Sequence, residues 1–250
     1  MSWAEPSPWA HVRVVLCDAD GNLFPSEEPA FVASAKVTST FLAGHQVQRR
    51  YEPEELRLAT TGMNFRSTVV ALARTHGLPE LDPATLEHWV ATEKEAVTAY
   101  LRTALHPDPA VLEPLTALAE RYGLAAVSSS ADARIAACFE VTGMAQFFPP
   151  ERRFSAEDSL PRPISKPDPA VYLHALDALG IEPGEAIAVE DSVAGATSAV
   201  AAGIATIGNL QFVQPPERAE RAQALERVGV AALVTSWGEV LDLLAAQPAR

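Results

Sequence analysis

Five short apolar runs set the terms on which this chain can fold: Val14 to Cys17, Leu124 to Val127, Ala186 to Val189, Ile204 to Ile207 and Val230 to Val234. Each has strand length, and stretches of helical periodicity separate most of them. Leu112, Leu115 and Leu118 share one helical face, and Val171, Leu173, Leu176 and Leu179 line another. The second helix has legible ends: Asp168 suits the N-cap, Pro169 the first turn and Gly180 the stop. Strands alternating with helices predict an α/β fold, a doubly wound parallel sheet covered on both faces. In such sheets polar sites gather beyond the carboxyl ends of the strands.

The alternation breaks between about Ser26 and Leu105, where the pattern is helical and no convincing strand occurs. Asp82-Pro83 can open a helix with Leu86, Val90, Val97 and Leu101 on its apolar side. After Leu105 the loop His106-Pro107-Asp108-Pro109 returns the chain to the strand–helix rhythm. The expected organisation is a discontinuous core, 12–25 and 106–250, interrupted by a helical insert, 26–105. A chain of 250 residues is long enough for this arrangement.

The formal net charge of −13, with no offsetting basic tract, argues against nucleic acid as a partner. Only Cys17 and Cys138 are present, so no disulfide framework is expected and a reducing cytoplasm is the simpler setting. Met1 to Ala10 lacks a basic start followed by a long apolar stretch, and no apolar segment is long enough to span a membrane. A soluble cytoplasmic protein with no membrane partner is the expectation; the oligomeric state is not legible.

Four polar stops stand near the ends of strands or the starts of helices. Cys17-Asp18-Ala19-Asp20-Gly21-Asn22-Leu23 follows the first apolar run. Two carboxylates one residue apart in a Gly turn suit a hard cation, and supply a nucleophile and a proton carrier. Equally, Asp and Gly are common in any turn after a strand. Ser128-Ser129-Ser130 can hold phosphate oxygens at a strand-to-helix junction, or can simply cap a helix. Lys166, in Ser165-Lys166-Pro167-Asp168, can neutralise phosphate and carboxylate charge, or lie solvated before a proline turn. Glu190 and Asp191 end the run Ala186 to Val189, where acidic groups are costly unless a cation or donors satisfy them; a capping role for Asp191 or Ser192 competes.

In this order and context the four stops resemble the haloacid dehalogenase superfamily of phosphohydrolases. The likeness runs from the first strand to Gly203, and its most specific parts are Asp18 to Leu23 and Val189-Glu190-Asp191-Ser192-Val193-Ala194-Gly195. The position of the helical interval resembles the first cap class, near the beta-phosphoglucomutase and sugar-phosphatase branch. The resemblance implies a Rossmann-like core with a helical cap. It also implies a Mg²⁺-dependent phosphatase acting on a small phosphomonoester, such as a sugar or polyol phosphate.

By this resemblance Asp18 is the nucleophile and forms an aspartyl-phosphate. Asp20 protonates the leaving oxygen and then takes a proton from the hydrolytic water. Mg²⁺ binds the Asp18 carboxylate, the Asp20 backbone carbonyl and Asp191, with Glu190 orienting that shell. Ser128, Ser129 and Lys166 hold the phosphoryl oxygens. Two close carboxylates titrate in separate steps, so Asp18 ionised beside Asp20 protonated is a consistent pairing.

The second aspartate, Asp20, sets the chain apart from the dehalogenase branch, which lacks it and uses no metal. Phosphonate-cleaving relatives need a cap lysine, whereas the stretch from Arg49 to Arg66 contains none. In the cap, Thr61-Gly62-Met63-Asn64-Phe65-Arg66 resembles a substrate-specificity loop, with Gly62 for a tight turn and Asn64 or Arg66 reaching substrate. Gly62 can equally do no more than separate two helices. Phe24-Pro25-Ser26-Glu27 departs from the branch by placing Pro25 where an aspartate usually precedes Ser-Glu. The competing functions are a phosphomutase, a phosphoacceptor or binding module of receiver type, and a silent scaffold.

Overall fold

The computed structural model describes residues 9, 11–60 and 63–245. The chain divides into two compact units: Met1–Pro25 with His106–Arg250, and Ser26–Leu105.

The first unit is built on a six-stranded sheet, β1 (Val14–Cys17), β2 (Gly123–Ser128), β3 (Arg153–Ser155), β4 (Ala186–Glu190), β5 (Ala205–Asn209) and β6 (Ala232–Val234). Its order is β3-β2-β1-β4-β5-β6, and every pairing is parallel. The sheet is doubly wound and Rossmann-like. The chain builds outward from β1 in one direction, then returns to its other side with β4, so the order reverses at the centre. Cys17 stands level with Ala126 of β2 and Val189 of β4. The next residues on all three strands therefore emerge together at the carboxyl edge: Asp18, Val127 and Glu190.

Strands this short stay in place because they are buried. All four residues of β1 and all five of β4 are buried, as a parallel sheet covered on both faces requires. Val14 and Leu16 join Ala125, Val127, Ala186 and Ala188 in one cluster with Val171, Tyr172, Ala175 and Leu176. Those last four lie on α7 (Ala170–Leu179). The remaining helices of this unit are α5 (Pro109–Ala119), α6 (Asp132–Thr142), α8 (Val193–Ala201), α9 (Arg218–Val228) and α10 (Trp237–Ala245).

The elements differ from the sequence pattern at several of their ends, and one strand is new. Ile204 and Val230 are apolar but precede β5 and β6. Their amides bond back to Ala199 and Leu225, closing α8 and α9 after Gly203 and Gly229 at φ +78° and +94°. β3 was not foreseen, because Arg153-Phe154-Ser155 is three residues long and carries one apolar side chain. On α7 the N-cap position is Pro169, not Asp168; the Asp168 carboxylate accepts from the Ala170 amide at 2.9 Å. Gly180 ends the helix at φ 64°.

Among its described residues the second unit comprises four helices, α1 (Glu27–Gly44), α2 (Pro53–Ala59), α3 (Phe65–Thr75) and α4 (Pro83–Ala104). No strand occurs among its described residues. Phe41, Leu42, Val69 and Ala73 form its buried centre, with Phe41 edge-on to Trp89 at 5.5 Å. Asp82 caps α4 through the Thr85 amide, and Pro83 fills the first position, where no amide is needed. No helix among the described residues is long and apolar enough to cross a membrane.

Candidate active site

The loop after β1 is shaped by its own backbone. Leu23 N bonds to Ala19 O at 2.9 Å and Gly21 N to Phe24 O at 3.0 Å, with Gly21 at φ +81°. A Cβ at Gly21 would also fall 2.6 Å from Asp191 Oδ2, so the position is closed to side chains on two counts. Asn22 ties this loop to the sheet. Its amide donates to Asp18 O and Val189 O at 2.9 and 3.0 Å, and its oxygen accepts from Asn209 at 2.9 Å.

Asp18 faces Lys166. The ammonium donates to Asp18 Oδ1 at 2.5 Å, to Glu190 Oε1 at 2.6 Å and to Val127 O at 2.8 Å. All of its donors are thereby used, and the side chain is 5% exposed. Glu190 Oε1 accepts a second bond, 2.5 Å, from the buried Tyr172 hydroxyl. Asp18, Glu190 and Asp191 form a buried carboxylate group, with one oxygen from each lying within 4.8 Å of the others. Burial pushes the Asp18 carboxyl well above its usual range; Lys166 opposes this, and Glu190 and Asp191 reinforce it. Burial and Glu190 likewise raise Asp191 to about 7, against the pull of Arg221 and Lys166. Lys166 is held strongly protonated: its own burial opposes the charge, but Asp18 and Glu190 outweigh it.

Asp20 occupies a different environment two residues on. Its carboxylate accepts from Ser130 Oγ at 2.7 Å and from Arg134 Nη2 at 3.0 Å, and its side chain is 27% exposed. The two aspartates thus sit apart chemically, one buried against lysine and the other partly exposed beside arginine. Arg221 donates to Asp191 O at 2.9 Å.

The remaining sequence candidates divide. Ser128 is buried, and its hydroxyl accepts from the Ser130 amide at 3.0 Å. Ser129 Oγ accepts from the Lys166 amide at 3.4 Å. Ser128, Ser129, Lys166, Asp18, Glu190 and Asp191 all belong to the carboxyl edge of β1, β2 and β4. In the helical unit Asn64 is the N-cap of α3, accepting from Ser67 N at 2.9 Å, and Arg66 pairs with Glu87 of α4 at 2.6 Å. Gly62 lies outside the described residues. Met63 is 47% exposed.

The carboxylate group fits a hard divalent cation. Three buried carboxylates face one buried ammonium, and Asp191 Oδ1 and Glu190 Oε2 are buried without a hydrogen-bond partner. An all-oxygen donor set of this kind suits hard cations such as Mg²⁺, Mn²⁺ or Ca²⁺ rather than softer metals.

Residues 12–203 match the haloacid dehalogenase-like hydrolase family. The chain belongs to that family. The hydrolase is 27% identical over 195 residues to a 6-phosphogluconate phosphatase of Escherichia coli (strain K12), covering 78% of this chain and 81% of the relative. Among solved structures it is similar to a haloacid dehalogenase family hydrolase from Deinococcus radiodurans R1 with bound phosphate and sodium. That match has a TM-score of 0.67, with 29% identity over 96% of this chain and 100% of the other. CbbY from Rhodobacter sphaeroides, in complex with phosphate, superposes with a TM-score of 0.71, covering 94% of this chain and 99% of that one. At 21% identity the latter likeness concerns the fold.

Four contacts of the hydrolase's site were missed in the sequence: Ser130 and Arg134 on Asp20, Tyr172 on Glu190 and Arg221 on Asp191. Ser130 was visible as part of the Ser run. The other three lie on helices, where they read as an ordinary core aromatic or solvated arginines.

Proposed function

We propose that this hydrolase is a Mg²⁺-dependent phosphatase of a small phosphomonoester, a sugar, polyol or sugar-acid phosphate, working through an aspartyl-phosphate. One observation carries the reading: Asp18, buried and bonded to Lys166 at 2.5 Å, stands two residues from Asp20, whose carboxylate is held elsewhere. The two carboxylates have different surroundings and so can take different roles: burial raises the Asp18 carboxyl, and Lys166 together with a bound cation would favour the ionised form that attack requires. The 6-phosphogluconate phosphatase and the phosphate-bound Deinococcus hydrolase supply the substrate chemistry by similarity.

In the first step an Asp18 carboxylate oxygen attacks phosphorus as the bond to the leaving oxygen breaks, and Asp20 gives its proton to that oxygen. Asp20, now ionised, takes a proton from water. The water oxygen attacks phosphorus, the bond to Asp18 breaks, and inorganic phosphate leaves with both aspartates restored. Lys166 holds Asp18 in place and offsets charge on the phosphoryl oxygens, beside the hydroxyls of Ser128 and Ser129. Asp18, Asp191 and the Asp20 carbonyl would hold Mg²⁺, and Glu190 would orient that shell. Bound there, the cation would offset the buried carboxylate charge and polarise the phosphoryl group.

The test is phosphate release from a panel that includes 6-phosphogluconate and hexose and polyol phosphates, with Mg²⁺ and with chelator. Metal-dependent release that disappears in Asp18→Asn is expected. Release that survives that substitution or the chelator would overturn the proposal. Isomerised sugar phosphate without net release would replace the phosphatase with a phosphomutase.

A further inference from the structure

Ser130 and Arg134 approach Asp20 from different supports. The Ser130 hydroxyl donates to Asp20 Oδ2 at 2.7 Å, and the Arg134 guanidinium donates to Oδ1 at 3.0 Å. One donor would leave the carboxylate free to rotate about that bond; two donors on the two oxygens set both its position and its plane.

Each donor is itself fixed. The Ser130 amide bonds to Ser128 Oγ at 3.0 Å, and its carbonyl accepts from Ser155 Oγ at 2.8 Å, at the end of β3. Arg134 stands in the first turn of α6, with its amide on Ala131 O at 3.0 Å. The start of that helix is tied down by Asp158 Oδ2, which accepts from the Asp132 amide at 2.7 Å. Ile135, Ala137, Cys138 and Phe139 anchor α6 by their burial. The unforeseen strand β3 therefore has a use: its end braces the loop that holds Asp20.

We infer that Arg134, together with Ser130, is a positioning residue that orients the Asp20 carboxylate for proton transfer. The inference rests on the proposed role of Asp20 as acid and base. A carboxylate that serves the leaving oxygen and then a water must be aimed at both, and misplacement of about 1 Å costs on the order of 100-fold in rate. A purely structural ion pair between the β1 loop and α6 would have no such link to the leaving group.

The experiment is single-turnover kinetics of the full chain with Mg²⁺, using p-nitrophenyl phosphate and glycerol 3-phosphate. Nitrophenolate departs without a proton, whereas the alkoxide of glycerol requires one. The variants are Arg134→Ala, Arg134→Lys, Asp20→Ala and the Arg134→Ala/Asp20→Ala pair, each checked for wild-type melting behaviour. The expected result is an Arg134→Ala loss of about 10- to 100-fold in phosphoryl transfer from glycerol 3-phosphate. The loss from p-nitrophenyl phosphate should stay within about threefold, and Arg134→Lys should restore part of the rate. In the Asp20→Ala background, followed over hours, removing Arg134 should cost nothing further. Equal losses on both substrates, or an undiminished Arg134 effect without Asp20, would overturn the inference while leaving the phosphatase intact. A wild-type enzyme that transfers no phosphoryl group to Asp18 would overturn both.

Discussion

Glu190 occupies the space that a side chain at position 195 would need: a Cβ built on Gly195 falls 1.8 Å from Glu190 Oε2. Gly195 sits in the first turn of α8, where glycine costs helix stability, with its amide capped by Ser192 Oγ at 3.0 Å. The glycine is there to let the carboxylate in.

Gly195→Ala should therefore displace Glu190 and loosen Lys166, which Glu190 holds at 2.6 Å. The expected outcome is a fall in kcat of at least about tenfold, greater than any loss in substrate affinity, since the altered contacts surround Asp18, the proposed nucleophile. Steady-state kinetics on the best substrate of the panel check this. Unchanged kcat would mean that Glu190 has another position available.

Lys166 is the lone ammonium bonded to the buried carboxylates among the described residues. Replacing it by methionine keeps much of the stem but leaves buried carboxylates uncompensated, which costs about 3–5 kcal/mol when one partner of such a pair is removed. The expected result is a lower melting temperature in chelator, partly recovered by Mg²⁺, with activity lost even when Mg²⁺ is present. Thermal melts with and without metal measure it. Equal destabilisation in both would remove the charge argument.

The sheet and the loop after β1 were legible because burial writes itself into sequence as apolar runs, and the runs of β1 and β4 end on residues that an apolar interior would not tolerate unpaired. Asp18, Glu190 and Asp191 are of that kind. Lys166 read either as a neutraliser of phosphate and carboxylate charge or as a solvated residue before a proline turn, and the fold places it 5% exposed among them. β3 was not legible, since an edge strand of three residues has no periodicity to show. Arg134 is joined to Asp20 across 114 positions, and nothing local distinguishes it from a solvated helix arginine. Asn64, in the loop suggested to reach substrate, also caps α3 through its side-chain oxygen.

Tyr172 looks like a core aromatic beside Val171, and it is fully buried, but its hydroxyl donates to Glu190 Oε1 at 2.5 Å. Burial and the facing carboxylate hold the phenol protonated, so it acts as a donor throughout the working pH range. Tyr172→Phe keeps the packing and removes one hydrogen bond to a charged group, worth about 1.5–3 kcal/mol. A lower melting temperature with a rise in the Mg²⁺ concentration needed for half-activity is expected. A loss of stability alone, with unchanged metal dependence, would confine Tyr172 to the core.

Asp191 gives the site a pH dependence whose sign is set by its raised carboxyl. In the metal-free protein it titrates at about 7, against 3.8 for an ordinary aspartate. Between those values the folded state holds a proton that the unfolded chain has lost. Stability from this group is therefore greatest at low pH, falls as pH rises through the window, and levels off above about 7. A cation bound to the ionised carboxylate must displace that proton, so Mg²⁺ affinity should weaken by up to about tenfold per pH unit below 7. The stabilisation of the melting temperature by a fixed Mg²⁺ concentration should accordingly be larger at pH 8 than at pH 5.5. Asp191→Asn should remove this contribution, because an amide has no proton to release. Paired melts of both proteins across that range read the difference directly, and a metal effect independent of pH would show that Asp191 is already ionised before the cation arrives.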